Sequence, residues 1–197
     1  NFLLIMKCLV TGGAGFIGSN LVDTLIERGD EVIIIDNLAT GKKENINPQA
    51  QFFNEDIRNL EKIKILFNGV DYVFHFAAFP RVQPSIEDPI TSNDINLNGT
   101  LNVLVAARDA KVKKVVYSAS SSAYGNQEKM PLCEDMPAHP LSPYGLQKYI
   151  GELYCRLFTE IYSLPTVSLR YFNAYGKRQA TEGAYCLVMG IFVQQRL

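Results

Sequence analysis

Short, dense apolar runs alternate along this chain with longer stretches in which apolar residues recur at helical spacing. The first run, "MKCLV", stops at a glycine cluster. "FIGSNLVDTLIERG" follows, with Ile17, Leu21 and Leu25 on one helical face and Gly29 as a stop. "EVIIID" is a continuous β-branched run, the pattern of a strand buried on both faces. Farther on, "QFFNED" predicts a weaker strand, "LEKIKILFNG" a helix and "DYVFHFAA" a strand. "DINLNGTLNVLVAARDA" predicts a long helix despite Gly99. "VKKVVYSAS" then predicts a strand, "PYGLQKYIGELYCRLFTEIYS" a helix and "PTVSLRYF" a strand. The polar, Pro-containing segment 126–142 reads as a surface loop. Repeated β-α-β units with short links predict an α/β fold, a parallel sheet with helices on both faces.

Two features do not close within this pattern. The helix from Tyr144 to Ser163 has Leu146, Ile150, Leu153, Leu157 and Ile161 on one stripe, with Tyr149, Tyr154 and Phe158 spreading apolar surface beyond it. One face can cover the sheet, and the remainder needs another partner. "GAYCLVMGIFVQQRL" reads as the opening of a further helix with nothing after it to pack against, as expected of a piece of a longer protein.

Composition narrows the function. With a net charge of −1 there is no basic excess to bind nucleic acid. No apolar run approaches the roughly 20 residues that span a bilayer. "NFLLI" before Met6 is too short for a signal peptide and lacks a charged start. Cys8, Cys133, Cys155 and Cys186 show no paired-metal spacing, and three of them sit in apolar runs as core thiols. A reducing, cytoplasmic setting and no metal site are expected. His75 lies in an apolar strand and is expected to be a packed core histidine, and His139 a solvated loop residue.

The chemistry gathers at strand ends. "VTGGAGFIGS" places Gly12, Gly15 and Gly18 between a strand and a helix, where backbone N–H groups and the helix dipole favour a pyrophosphate. Asp36 ends the second strand about 20 residues on, the spacing of an acid that takes the ribose hydroxyls of a dinucleotide. An acid there repels a 2′-phosphate, so NAD is expected over NADP. "YGLQK" sets Tyr144 and Lys148 one helical turn apart on a shared face. A free tyrosine, with a pKa of about 10, is a poor base at neutral pH. A neighbouring ammonium favours the phenolate and makes it a usable proton acceptor.

In this order, "TGGAGFIG", "HFAA", "NLNGTLNVL", "SASSSAYG", "SPYGLQK" and "RYFNAYGKRQ" resemble the extended short-chain dehydrogenase/reductase family. Within it, the closest resemblance is to NAD-dependent nucleotide-sugar epimerases of the UDP-glucose and UDP-N-acetylglucosamine 4-epimerase type. The resemblance covers nearly the whole chain from Met6 onward. It implies a Rossmann-type doubly wound sheet over residues 1–174 and the beginning of a smaller substrate lobe over 175–197. It implies Tyr144 as base, Lys148 as its lysine and a holder of the nicotinamide ribose, and Ser120 as the hydroxyl at the sugar's reacting oxygen. Implied cofactor contacts are Gly12, Gly15, Phe16, Ile17, Gly18, Asp36 and Asn37, then Asp56 and Ile57, then Phe76, Ala77 and Ala78. Asn96, Ser118 and Tyr171 complete them, together with Tyr144 and Lys148. Arg81 and Asn173 are implied at the UDP-sugar, beside Ser120, Ser121, Ser122 and Tyr144. A homodimer is also implied, through the helices at 144–163 and 96–110.

"SASSSAYG" then separates the alternatives. Relatives that dehydrate or decarboxylate nucleotide sugars carry an acid just after the catalytic hydroxyl, where elimination at C6 needs a proton donor. Here Ser121 and Ser122 stand in those positions. A serine can hydrogen-bond a substrate but is a poor general acid, and either one can equally serve to pair backbone groups. The expected reaction is therefore 4-epimerisation of a UDP-hexose through a transient 4-keto sugar. A dehydratase or decarboxylase and a non-catalytic NAD-binding sensor or scaffold are the alternatives. A mere binder needs none of Tyr144, Lys148 and Ser120.

Overall fold

A computed structural model describes residues 5–180 together with Phe192, Gln195 and Arg196. Cys186 and most of the helix expected near the C-terminus lie outside the described residues. Six parallel strands form one sheet: β1 (Lys7–Thr11), β2 (Glu31–Ile35), β3 (Gln51–Phe53), β4 (Tyr72–His75), β5 (Lys114–Ser120) and β6 (Thr166–Tyr171). Their spatial order is β3-β2-β1-β4-β5-β6. The chain winds outward from β1 through β2 and β3, then returns to lay β4 against the other side of β1. This reversal opens a crevice at the carboxyl ends of β1 and β4, where α/β sheets bind ligands.

The unbroken apolar runs follow from burial on two sides. Cys8 and Val10 of β1 face Val22 and Leu25 of α1 (Phe16–Glu27). Leu9, between them, faces the opposite core with Val73, Val115 and the α5 residues (Thr100–Asp109) Val103, Leu104 and Ala107. Full burial of a side chain such as Leu9 stabilises by about 1.5–3 kcal/mol. One polar substitution on either face would therefore remove a large part of a small domain's stability.

Two short helices were not anticipated. α3 (Val82–Glu87) and α4 (Pro89–Asn93) follow β4 in a stretch with no apolar period. Asp88 and Pro89 mark the start of α4: the Asp88 carboxylate accepts the Thr91 N–H at 3.0 Å, and Pro89 occupies the first turn. The long helix expected from Asp94 is divided. Asp94–Gly99 winds as a π-helix before α5 begins at Thr100. The expected helix at "LEKIKILFNG" is an α-helical turn, α2 (Leu60–Ile63), that tightens to 3₁₀ geometry over Lys64–Phe67.

α6 (Pro143–Tyr162) starts at Ser142, whose Oγ accepts the Gly145 N–H at 3.1 Å, and stops at Ser163 in left-handed geometry. Its orientation distinguishes the two faces that the sequence left unassigned. The sheet-facing side is formed by Gly151, Cys155 and Phe158, with Gln147 and Lys148 buried beside them. Leu146, Leu157 and Ile161 of the apolar stripe are 48%, 41% and 65% exposed and point away from the sheet. The small residues face inward because β5 presents the large Tyr117, against whose ring a side chain at position 151 would collide.

Candidate active site

Because all six strands are parallel, Thr11, His75, Ser120 and Tyr171 end along one edge of the sheet. The glycine loop forms one side of that edge. Gly12 has φ +72°, and a Cβ there would lie 2.7 Å from the Ala77 nitrogen. A Cβ on Gly18 would collide with the Gly12 carbonyl oxygen. The loop therefore turns tightly from β1 into α1 and passes flat against the segment after β4. Gly15 precedes α1 with no side-chain cap, so the first-turn amides at Phe16, Ile17 and Gly18 present the positive end of the helix.

Asp36 sits one residue beyond β2 and is buried. Its Oδ2 accepts the Ala14 N–H at 3.0 Å and its Oδ1 the Leu38 N–H at 2.8 Å. A carboxylate has about four acceptor positions, so two remain for hydroxyl donors. Asn37 donates to Asp56 Oδ2 at 2.9 Å. The Arg58 guanidinium bonds both oxygens of Asp56, at 3.0 and 2.8 Å, and holds that carboxyl down at about 2. Ile57 is buried in the core.

The segment after β4 is tied to the loop strand. Phe76 N–H donates to the Thr11 carbonyl at 3.0 Å, and Ala77 N–H to Thr11 Oγ1 at 3.2 Å. Ala78 continues this segment toward Phe79. The rings of Phe76 and Tyr171 stack at 6.3 Å. His75 is a core histidine, as expected. Thr100 Oγ1 donates to the Asn96 carbonyl at 2.7 Å and so accepts from His75 Nε2–H at 3.0 Å. In the neutral ring Nδ1 is then the acceptor, and it takes the Thr11 hydroxyl proton at 2.6 Å. Burial, reinforced by the Lys148 charge, holds this imidazole neutral down to about 3.

Asn96 lies in the π-helical turn and is buried. Its amide is engaged by protein: Oδ1 accepts the Phe79 N–H at 2.7 Å, while Nδ2 donates to Phe79 O at 3.1 Å and Gln147 Oε1 at 2.8 Å. Arg81 follows at φ +82°, a left-handed conformation uncommon for a residue with a side chain. Gln147, Ser92, Ser85 and Thr11 are polar groups of this end that motif reading passed over. No local pattern marks them, because the partners that tie them across elements lie tens of residues away.

Ser120 closes β5. Its Oγ accepts the Ser122 N–H at 3.2 Å, at the entry to a 3₁₀ turn over Ser121–Ala123. That bond leaves the Ser120 proton free, and the Ser120 hydroxyl lies near the Tyr144 phenol. Burial pushes the Tyr144 phenol up, and the Ser120 hydroxyl opposes the shift. Lys148 lies one turn along α6, 4% exposed, with Nζ donating to the Ser118 carbonyl at 2.8 Å and standing 5.1 Å over the Tyr117 ring. Burial lowers its pKa to about 8. Ser120 and Tyr144 thus lie together, with Lys148 one helical turn from Tyr144 and tied to Ser118 at the same strand end. Ser121 and Ser122 are half-buried beside them, while Asn173, just past β6, is exposed. Among the described residues, no cluster of His, Cys, Asp and Glu is placed to hold a metal.

Residues 8–195 match the model of the NAD dependent epimerase/dehydratase family. A putative UDP-glucose 4-epimerase of Methanocaldococcus jannaschii is 48% identical over 96% of this chain and 62% of its own length. Two solved structures each superpose with a TM-score of 0.92 over 96% of this chain and 62% of theirs. One is the Thermotoga maritima UDP-glucose 4-epimerase with UDP-glucose, 42% identical. The other is the Methanobrevibacter ruminantium UDP-N-acetylglucosamine 4-epimerase in complex with UDP-N-acetylmuramic acid, 40% identical. The present chain therefore spans less than two thirds of the length of these relatives.

Proposed function

Because this chain belongs to the NAD dependent epimerase/dehydratase family, we propose that it is the cofactor-binding and catalytic part of a UDP-hexose 4-epimerase. The substrates are UDP-glucose and UDP-galactose or their N-acetylated forms. The observation that carries this reading is the placement of Ser120, Tyr144 and Lys148 at the sheet edge, with serines where elimination would need an acid.

The residues present fit NAD. A side chain at Gly12 or Gly18 would fill the cradle, and Asp36 keeps acceptor positions for ribose hydroxyls. Gly15, Phe16 and Ile17 supply amides for the pyrophosphate, and Asn37, Asp56 and Ile57 border the adenosine end. Phe76, Ala77, Ala78, Asn96, Ser118 and Tyr171 border the nicotinamide end, with Lys148 on its ribose. When bound, NAD would supply the reversible hydride acceptor that oxidation and re-reduction at C4 of the sugar require. Tyr144 removes the C4 hydroxyl proton and gives it back. Ser120 hydrogen-bonds the same oxygen, and the buried Lys148 ammonium stabilises the phenolate. Arg81 and Asn173 contact the UDP-sugar from outside, and residues 175–197 begin its lobe.

Ser121 and Ser122 favour this reading over a dehydratase or decarboxylase. The buried lysine favours it over a sensor, since a binder has no use for an ammonium desolvated beside a phenol. The outward stripe of Leu146, Leu157 and Ile161 supports a homodimer through α6 and α5. The thiols of Cys8, Cys133 and Cys155 are free, which fits a reducing cytoplasm. No described helix is long and apolar enough to cross a membrane.

The test is product analysis by NMR on the whole protein as its gene encodes it, supplied with UDP-glucose. The galacto epimer should accumulate to equilibrium. A 4-keto-6-deoxy product, or carbon dioxide from a uronic acid substrate, would assign the protein to the alternative chemistry. Sedimentation at micromolar concentration should give a dimer, and a monomer would refute the pairing.

A further inference from the structure

α6 carries the proposed base and lysine, while Arg81 and the bend before it lie on a different segment, 79–85. The two are joined by buried polar groups: Asn96, which also borders the proposed cofactor site, and Gln147, Ser92 and Ser85, which the chemistry above does not use. Gln147, one residue before Lys148, is 4% exposed. Its Oε1 accepts two hydrogen bonds, from Ser92 Oγ at 2.7 Å and from Asn96 Nδ2 at 2.8 Å. Asn96 in turn holds both backbone groups of Phe79, through its Oδ1 and the same Nδ2. A second tie runs alongside. The Tyr144 backbone N–H donates to Ser85 Oγ at 3.0 Å, and Ser85 Oγ donates to Val82 O at 2.6 Å.

We propose that Gln147 is a positioning residue: through Asn96 it locks the Phe79–Arg81 bend to the helical turn that carries Tyr144 and Lys148. Three features support this. A buried amide oxygen taking two donors is demanding in geometry, so it defines one arrangement of three elements. The clamp passes through a π-helical turn, a rare winding that recurs at functional sites. It closes on a bend that ends at Arg81, whose φ of +82° is a conformation that persists only where the surroundings over-determine it. The Gln147 amide oxygen is occupied within the protein and takes no part in the proposed proton transfer. Its effect reaches the site only through where Phe79–Arg81 stands relative to Tyr144. Misplacement of about 1 Å lowers rates sharply without abolishing binding.

This inference rests on the epimerase reading for its kinetic arm and on geometry alone for its structural arm. The variants are Gln147→Met, which keeps length and loses both acceptances, and Gln147→Glu, which keeps an acceptor. Phe67→Leu, in the core away from this end, serves as a stability control. Hydrogen exchange with mass spectrometry on the whole protein should show the 79–85 peptide exchanging at least about tenfold faster in Gln147→Met. Phe67→Leu should leave that ratio unchanged relative to the rest of the sheet. In Gln147→Met, turnover should fall about tenfold while KM for the UDP-sugar and affinity for NAD change less than about threefold. Gln147→Glu should recover part of both losses. Wild-type exchange at 79–85 in Gln147→Met overturns the clamp whatever the activity. Fast exchange with unchanged turnover, or an equal fall in turnover in Phe67→Leu, overturns its positioning role. If wild-type protein does not epimerise at all, the functional reading fails and the role in turnover fails with it, while the exchange result still decides the clamp.

Discussion

The two ends of the sheet edge are built from different materials. At the glycine loop the working groups are backbone amides, brought close because side chains are missing at Gly12 and Gly18. Asp36 is held there by backbone donors of Ala14 and Leu38. At the other end the working groups are side chains taken out of water. Tyr144 is pushed up, Lys148 down to about 8 and His75 down to about 3, each chiefly by burial. Backbone donors do not titrate and need no network to orient them. Buried side chains do, and the chain of Thr11, His75, Thr100, Asn96 and Gln147 provides it. The loop end is therefore suited to binding and the side-chain end to proton transfer.

The largest effect that would break this division is at Tyr144. Tyr144→Phe keeps the ring and removes the oxygen near the Ser120 hydroxyl. Turnover should fall about 10²–10⁴-fold, the usual range for a general acid–base group, with NAD affinity retained. Ser120→Ala should lose less, about tenfold, since one neutral hydrogen bond goes and the base stays. Steady-state rates alongside calorimetric titration with NAD separate the two quantities. A Tyr144→Phe enzyme turning over at the wild-type rate would end the mechanism.

The complementary change is Asp36→Ala. Hydrogen bonds to a charged acceptor contribute about 1.5–3 kcal/mol, so NAD affinity should weaken roughly 10- to 100-fold at about 1.4 kcal/mol per decade. Preference over NADP should narrow, because repulsion of a 2′-phosphate disappears. Turnover at saturating NAD should stay within a few-fold of wild type. A variant that binds NAD normally but turns over slowly would mean that the loop end also shapes the chemistry.

The same division explains what the sequence disclosed. Gly12, Gly15, Gly18 and Asp36 work through local geometry, so their spacing alone pointed to them. Tyr144 and Lys148 share a helical face, but the pair stands out only through its place after the glycine loop and the serine-rich strand end. The strands were legible because burial on both faces makes runs such as "VIII" unambiguous. The orientation of α6 was not, because the apolar stripe through Leu146 and Ile161 is a stronger pattern than the small residues that actually meet Tyr117. Likewise the clamp at Gln147 joins residues from α4, the π-helical turn and α6. Nothing in the local order of polar residues announces such a meeting. Only Asp88–Pro89, a cap followed by a helix-starting proline, offered a sign that the stretch after it was helical.

A pH titration of stability sharpens the contrast at smaller scale. The folded protein holds His75 neutral down to about 3, whereas an ordinary histidine gains its proton near 6.5. Between those values the unfolded chain binds a proton that the native state does not. Stability should therefore decline as pH falls from 6.5 toward 3, by up to about 1.4 kcal/mol per pH unit from this group. Lys148 acts at the alkaline side with the same sign: between about 8 and 10.5 the unfolded chain again holds the extra proton, so stability should rise with pH there. Urea unfolding across both windows measures the slopes. His75→Asn should flatten the acid one, and an unchanged slope would show that other groups govern it.

The smallest effect concerns which part of Tyr117 matters. Its ring lies beneath the Lys148 ammonium at 5.1 Å, and its hydroxyl reaches the Lys148 carbonyl only at 3.4 Å, a long contact. The quadrupole of the ring attracts the cation whether or not the hydroxyl is present. Thr100, the other partner of that hydroxyl, keeps its bonds to His75 and to the Asn96 carbonyl. Tyr117→Phe should thus lower stability by only about 0.5–1.5 kcal/mol, the worth of an ordinary buried hydrogen bond. Turnover and its pH profile should be unchanged. Tyr117→Leu removes the ring face as well, so Lys148 should lose its proton at lower pH and the alkaline limb of the rate profile should move down. Profiles of the two variants side by side decide the matter. If Tyr117→Phe shifted the profile as far as Tyr117→Leu, the hydroxyl rather than the ring would be what holds the lysine, and the side-chain end would depend on one more hydrogen bond than its geometry shows.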